Sequence, residues 1–306
     1  METQFKNLIE CTKHFSDENV CWDYLETFRW GGVVICPFCK SRNLYKFQNS
    51  RTYKCADCKK KFNAKIGTIF ENTKVPLSKW FVAIYIITSH KKGISSIQLS
   101  KDISVTQKTA WFILHLIREM LNVKAPYLLD GMVEVDESYF GGKSINKHKS
   151  VRTKGTGYAN KTMVFGVLQR KGVVYNEVVK NVSSETLKPM IRNTVNKNAI
   201  VVFDDFGSYT GLNKEFKQNE VINHAEDEWL RGNYHTNTIE GYWSILKRGI
   251  YGIYHSVSPK HLHRYCNEFE YRYNTRKLNE SDRLDFSLLF CDKRLKYNDL
   301  IGKETI

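Results

Sequence analysis

Asp136, Asp204 and Glu240 are the residues of this chain best suited to chemistry. Asp136 closes the run Met132-Val133-Glu134-Val135, and Asp204 closes Ala199-Ile200-Val201-Val202-Phe203. Glu240 opens an amphipathic stretch 36 positions after Asp204. Carboxylates converging from two strand tips and a helix can hold two divalent metal ions about 3.5–4 Å apart, the arrangement that supports in-line attack on a phosphodiester. Glu134, Glu137 and Asp205 are rival ligands; strand alternation sends Glu134 to the side of Asp136 and Glu137 to the other. Along Asn237–Lys247, Ile239, Trp243 and Leu246 share one helical face, while Glu240, Ser244 and Lys247 share another. A metal-binding acid and a phosphate-binding lysine would then project together. Glu240 has a second possible use, as partner of Asn237 in a capping box.

A second set of ligands lies nearer the N-terminus. Cys36-Pro37-Phe38-Cys39 and Cys55-Ala56-Asp57-Cys58 form CxxC–x15–CxxC. Two thiolate pairs on tight turns supply the four soft ligands of a tetrahedral zinc ion. Arg51-Thr52-Tyr53-Lys54 reads as a strand of a zinc ribbon. A redox CxxC would need only one pair, in a βαβ setting. Cys11, Cys21, Cys266 and Cys291 have no ligand spacing and read as ordinary thiols.

The elements that must position these groups follow from periodicity. Residues 1–30 have apolar residues at near-helical spacing, and the pattern is helical again from Pro76 to Leu121, broken at Lys91-Lys92-Gly93. Within it, Ser96–Trp111 fits a helix, a tight turn and a second helix capped by Thr106, with Leu99, Ile103, Val105 and Trp111 at the joint. Gln107 and Lys108 would begin the recognition helix of a helix-turn-helix, although a plain packed helical pair uses the same apolar spacing. From Met132 the pattern becomes strand-like: Met132–Asp136, Thr162–Leu168, Val173–Val179 and Ala199–Asp204, with a helix near Ser184–Val195. This order predicts a mixed α/β sheet flanked by helices. The connection from Gly141 to Lys161 reads as a basic surface loop, with Lys143, Lys147, Arg152 and Lys154 available to a phosphate backbone. Helices resume over Asn237–Lys247 and Pro259–Arg276. On the last, Tyr265, Phe269 and Tyr273 are expected to face the core, and some of the arginines Arg264, Arg272 and Arg276 to contact phosphate.

Composition bounds the rest. The 306 residues have room for one catalytic domain and smaller modules, and 42% hydrophobic content fits a globular core. A net charge of +15 points to a polyanionic partner. No apolar stretch reaches the roughly 18–20 residues a membrane span needs, and the first residues lack signal-peptide character. A reducing, cytoplasmic setting close to the nucleoid is expected, which favours metal over disulfide for the paired cysteines.

With these pieces assembled, the chain resembles the zinc-ribbon DDE transposases of small bacterial insertion sequences, the ISXO2-like group related to the Merlin elements. The matching stretches are Val133-Glu134-Val135-Asp136-Glu137-Ser138-Tyr139-Phe140-Gly141-Gly142-Lys143, Asp204 five residues before Tyr209, and His235-Thr236-Asn237-Thr238-Ile239-Glu240-Gly241-Tyr242-Trp243, followed by Lys247-Arg248-Gly249 and Arg272-Tyr273-Asn274-Thr275-Arg276. The resemblance implies an RNase H-like catalytic domain over 130–280, after an N-terminal helical segment (1–30), a zinc ribbon (31–66) and a helix-turn-helix region (76–122), with a C-terminal tail over 281–306. It implies catalysis by Asp136, Asp204, Glu240 and Lys247 with two Mg2+ ions, and one structural Zn2+ on Cys36, Cys39, Cys55 and Cys58. Transposon ends and target DNA would be the partners, contacted by Gln107, Lys108, the basic loop, Arg248, Arg272 and Arg276. A homodimer or larger assembly would form on DNA. The competing expectation is a regulator, or a domesticated transposase, that binds DNA without cutting it.

Overall fold

Side chains that accept backbone N–H groups start the first helices. Asn7 caps α1 (Leu8–His14) and Asp17 caps α2 (Glu18–Trp30), which ends at Gly31 in the left-handed conformation. The structure, a computed structural model, describes residues 5–48, 50–142, 161–204, 207–209, 211–212, 215–222 and 233–302. Its contacts divide the chain into two compact units, residues 1–123 with 275–306, and residues 124–274.

In the first unit, β1 (Leu44–Lys46), β2 (Tyr53–Cys55) and β3 (Lys61–Phe62) form a small antiparallel sheet in that order. Helix α3 (Leu77–Ser89) is apolar on nearly every side and is buried along most of its length. Pro76 offers it no side-chain cap. The Glu18 carboxylate accepts the N–H groups of Leu77 and Ser78 instead, at 2.9 and 3.2 Å. Helices α4 (Ser96–Asp102) and α5 (Gln107–Met120) are capped by Ser95 and Thr106 and joined by a turn with Ser104 at φ 51°. Leu99 and Ile103 are buried at this joint, and Val105 and Trp111 are half-buried.

The second unit is built on one sheet. Strand β4 (Met132–Phe140) pairs antiparallel with β5 (Thr162–Gln169), which pairs antiparallel with β6 (Val174–Val179). Helix α6 (Ser184–Thr194) then leads to β7 (Ile200–Asp204), parallel to β4, and β8 (Gln218–Ile222) lies parallel to β7. The order β6-β5-β4-β7-β8 is the mixed sheet flanked by helices that the strand pattern predicts. Two cores cover its faces. On one, Val133, Val135, Val201 and Phe203 meet Leu187 and Ile191 of α6. On the other, Phe140, Val164 and Leu168 meet α7 (Asn237–Gly252) and α8 (Pro259–Asn274) through Ile239, Trp243, Leu246, Leu262 and Phe269.

The chain then returns to the first unit as α9 (Glu280–Leu288) and α10 (Tyr297–Ile301). Residues 281–306, read from the sequence as a tail, thus contain a helix with Leu284 and Leu288 fully buried. Asp285 of that helix accepts a hydrogen bond from Tyr24 of α2, and Asp292 pairs with Arg29 at 3.0 Å.

Candidate functional site

The parallel pairing of β4 with β7 sets Val135 opposite Phe203, so Asp136 and Asp204 take matching positions on neighbouring strands. Asp204 ends β7, but β4 continues to Phe140, so Asp136 lies midway along its strand and not at the expected tip. Val133 and Val135, like Val201 and Phe203, point into the core under α6. By alternation Asp136 and Asp204 take the other side of the sheet, the side covered by α7. Glu137 points the opposite way and accepts a hydrogen bond from the Tyr209 hydroxyl at 2.5 Å. Burial raises Glu137 above the ordinary carboxylate range, and the charge of nearby Asp204 adds to it. Asp136 is part-buried. Burial, with the charges of Glu137 and Glu240, pushes it up to about 7, against the hydrogen bond donated to its Oδ2 by Trp243 Nε1 at 2.9 Å.

That bond depends on a glycine. Gly166 of β5 lies opposite Asp136 in the register, and a Cβ built there would stand 2.5 Å from Cζ2 of the Trp243 indole. With only hydrogen at position 166, the indole lies against the strand and its N–H reaches Asp136. Glu240 sits one turn earlier on α7, exposed, and accepts a hydrogen bond from Thr236 Oγ1 at 2.8 Å. The helix cap is Thr236, with Asn237 already inside the helix, so the alternative capping box between Asn237 and Glu240 is not formed. The helix runs unbroken through Ser244 and half-buried Lys247, which therefore share a face with Glu240.

Glu134, weighed from the sequence as a rival ligand, is committed elsewhere. It is fully buried; its Oε1 accepts from Arg170 Nε at 2.6 Å and its Oε2 from the backbone N–H of Ile239 at 2.9 Å. Arg170 also donates to the carbonyls of Asn233 and His235, at 2.5 and 2.7 Å. Sequence reasoning missed Arg170, because a lone arginine after a strand carries no local signal of its partner.

In the first unit the four sulfurs of Cys36, Cys39, Cys55 and Cys58 lie within 4.8 Å of one another, with Cys36 to Cys58 at 3.6 Å and Cys39 to Cys55 at 3.5 Å. The two pairs are built alike. Lys40 and Lys59, each just after its second cysteine, have φ of 62° and 61°, and the N–H groups of Cys36 and Cys55 donate to Ser41 and Lys60 carbonyls. Backbone N–H groups, that of Cys58 first and then that of Asp57, hold the Cys55 thiol down at about 7, whereas Cys39, against the backbone N–H of Ser41, is pushed up to about 12 by desolvation and the neighbouring cysteine sulfurs. Four sulfurs so gathered fit a tetrahedral zinc ion. The surrounding core is small: Trp30 meets Tyr53 edge-on at 5.4 Å, and Tyr53 stacks on Phe62.

The residues expected to contact DNA have varied settings. Gln107 and Lys108 are exposed at the start of α5, Gln107 donating to Ser96 Oγ at 2.8 Å and Lys108 lying over the Tyr297 ring. Arg248 is exposed and Arg276 half-buried. Arg272 is a correction. It is buried over the Phe269 ring and pairs with fully buried Glu268 one turn back on α8, so its charge is used inside the fold. Tyr265 and Phe269 face the core as expected. Lys143, Lys147, Arg152, Lys154 and the rival Asp205 lie outside the described residues. Among the described residues no helix is long and apolar enough to cross a membrane.

Comparison with known proteins matches two stretches of the chain to known modules. A family model described as the ISXO2-like transposase domain matches residues 128–274, and one described as the transposase zinc-ribbon domain matches residues 16–61. An uncharacterized protein in transposable element ISH50 of Halobacterium salinarum is 29% identical over 276 residues, covering 85% of this chain and 92% of that protein. An uncharacterized transposase-like protein of Haemophilus influenzae is 34% identical over 105 residues, which are 34% of this chain and 84% of that protein. Among solved structures, a pre-cleavage Mos1 transpososome aligns at 13% identity and TM-score 0.23 over 66% of this chain and 75% of that chain. A simian T-cell lymphotropic virus intasome aligns at 12% identity and TM-score 0.27, over 58% and 61% respectively.

Proposed function

The chain belongs to the ISXO2-like transposases, and on that premise we propose that it binds the terminal inverted repeats of an insertion sequence, cuts DNA at those ends and joins them to a target. The observation that carries this reading is the pairing of Asp136 and Asp204 on adjacent parallel strands, on the sheet face where α7 brings Glu240. Asp136, Asp204 and Glu240 would hold two magnesium ions, which when bound supply activation of the attacking oxygen and stabilisation of the leaving one.

The protein's own residues do the rest. Trp243 orients the Asp136 carboxylate through its indole N–H. Lys247, two turns beyond Glu240, neutralises phosphate charge beside the reacting bond. The attacking group is water for cutting and the freed 3′-hydroxyl for joining, so no serine or tyrosine nucleophile is used. Exposed Gln107 and Lys108 read the element ends in the major groove, and Arg248 and Arg276 hold backbone. The zinc ribbon assists recognition of the ends. Two ends must be joined together, so a dimer or larger assembly is expected on DNA.

The decisive assay combines purified protein, Mg2+ and DNA carrying the cognate ends, for the wild type, Asp204→Ala and Glu240→Ala. Cleavage should fall by about 10³ or more in each variant while end binding is kept. Retained cleavage in both would refute the assignment of the trio; binding without cleavage by the wild type would identify a regulator.

A further inference from the structure

Glu240 lies between two bonds that tie α7 to β4. Just before it, the N–H of Ile239 is accepted by Glu134 Oε2; just after it, Trp243 donates to Asp136. Both acceptors belong to one strand and point to one side, two residues apart, or about 7 Å. The first bond is unusual as a helix cap. Thr236 occupies the cap position but makes no side-chain cap bond, and the N–H of the third helical residue is taken by a carboxylate from the sheet. That carboxylate has no exposure to water and is held by Arg170, whose remaining donors fix the carbonyls of Asn233 and His235 on the approach to α7. A buried charge needs such a partner. This one is arranged so that the entire entry to the helix is held against β4.

We propose that Glu134 and Arg170 are positioning residues that set the affinity of the acid site for divalent cations, by fixing the helix that carries Glu240 relative to Asp136. The proposal rests on the reading of Asp136, Asp204 and Glu240 as cation ligands. Glu134 itself is no ligand here, because both its oxygens are committed within the protein.

The probe is Mn2+ alone, its binding to the full-length protein measured by electron paramagnetic resonance beside melting temperature and end-DNA binding. Arg170→Lys keeps a cation beside Glu134 but loses the fork that reaches the Asn233 and His235 carbonyls. It should weaken Mn2+ binding about tenfold, with melting temperature and DNA binding near the wild-type values. Excess Mn2+ should restore its cleavage, whereas Glu240→Gln should lose binding outright and resist rescue. Glu134→Gln, which keeps a carbonyl to accept the Ile239 N–H, should resemble Arg170→Lys; behaviour like Glu240→Gln would make Glu134 a ligand and overturn the proposal. Wild-type Mn2+ affinity in a folded Arg170→Lys protein would also overturn it. If Arg170→Lys fails to fold, Glu134→Gln decides by the same criteria, and failure of both to fold would reduce the pair to a structural role. Unchanged Mn2+ binding in Asp204→Ala and Glu240→Gln would instead remove the reading of the trio, and the proposal with it.

Discussion

The cysteine centre and the acidic residues proposed to hold magnesium are organised in opposite ways. Four sulfurs lie within 4.8 Å of one another, backed by a small cluster of Trp30, Val34, Leu44, Tyr53, Phe62 and Ile66. Asp136, midway along β4, and Asp204, at the end of β7, by contrast belong to a sheet sandwiched between two extensive cores. A ribbon with so little apolar burial needs a metal to stay folded. The sheet needs none, and any cation between its carboxylates would serve chemistry. The difference separates a metal that completes a fold from one that a finished fold can acquire and release.

The largest test of that contrast is metal removal. Stripping zinc with a strong chelator, or substituting Cys55→Ser, should unfold the ribbon, since structural zinc contributes on the order of 10 kcal/mol to such modules. Amide exchange would show fast exchange over residues 36–62 with unchanged protection in β4, β5 and β7; equal loss in both regions would erase the distinction. On the acid side, Gly166→Val should drive a side chain into the Trp243 indole and destabilise unit 124–274 by about 3 kcal/mol in denaturant titration. Wild-type stability in that variant would mean the indole does not hold α7 to the sheet.

A third test separates the ribbon from the helices of its own unit. Burial raises Asp285 to about 6, against the hydrogen bond donated by Tyr24. The folded protein thus retains a proton that the unfolded chain, titrating near 3.8, has lost. Stability should be highest at the acid end of this window and decline as pH rises from about 4 to about 6, by roughly 2 kcal/mol. Asp285→Asn should remove the decline, and it should persist in the wild type after chelation if the helical packing is independent of zinc. Smallest of all, Trp243→Phe keeps the ring and loses one donor to Asp136. A loss of about 1 kcal/mol is expected in thermal unfolding; an unchanged melting temperature would show that the bond contributes nothing to seating α7.

Much of this was readable from residue patterns, and the exceptions have physical causes. Alternation located Val133, Val135 and the carboxylates around them, and helical spacing linked Glu240 to Lys247. Strand β8 escaped notice because Gln-Asn-Glu-Val-Ile is mostly polar, as suits an edge strand. Helix α9 was hidden by its acidic start, although Leu284 and Leu288 carry the core spacing. The spacing of Glu268 and Arg272, one helical turn apart, does suggest an ion pair, but whether such a pair is solvated or buried depends on tertiary packing. The partnership of Glu134 with Arg170 spans a strand pairing and a loop, and no local pattern encodes it.

The matched lysines of the ribbon carry a consequence for its charge balance. Four thiolates around one zinc dication leave a doubly negative cluster. Lys40 and Lys59 follow its two cysteine pairs directly, and Lys60 and Lys61 come next in the chain. Part of the positive charge on this module is therefore absorbed by its own metal centre before any phosphate approaches. A nucleic acid would meet a module about two charges less cationic than its lysines and arginines suggest, and the salt dependence of its binding should be correspondingly shallower than a count of lysines implies.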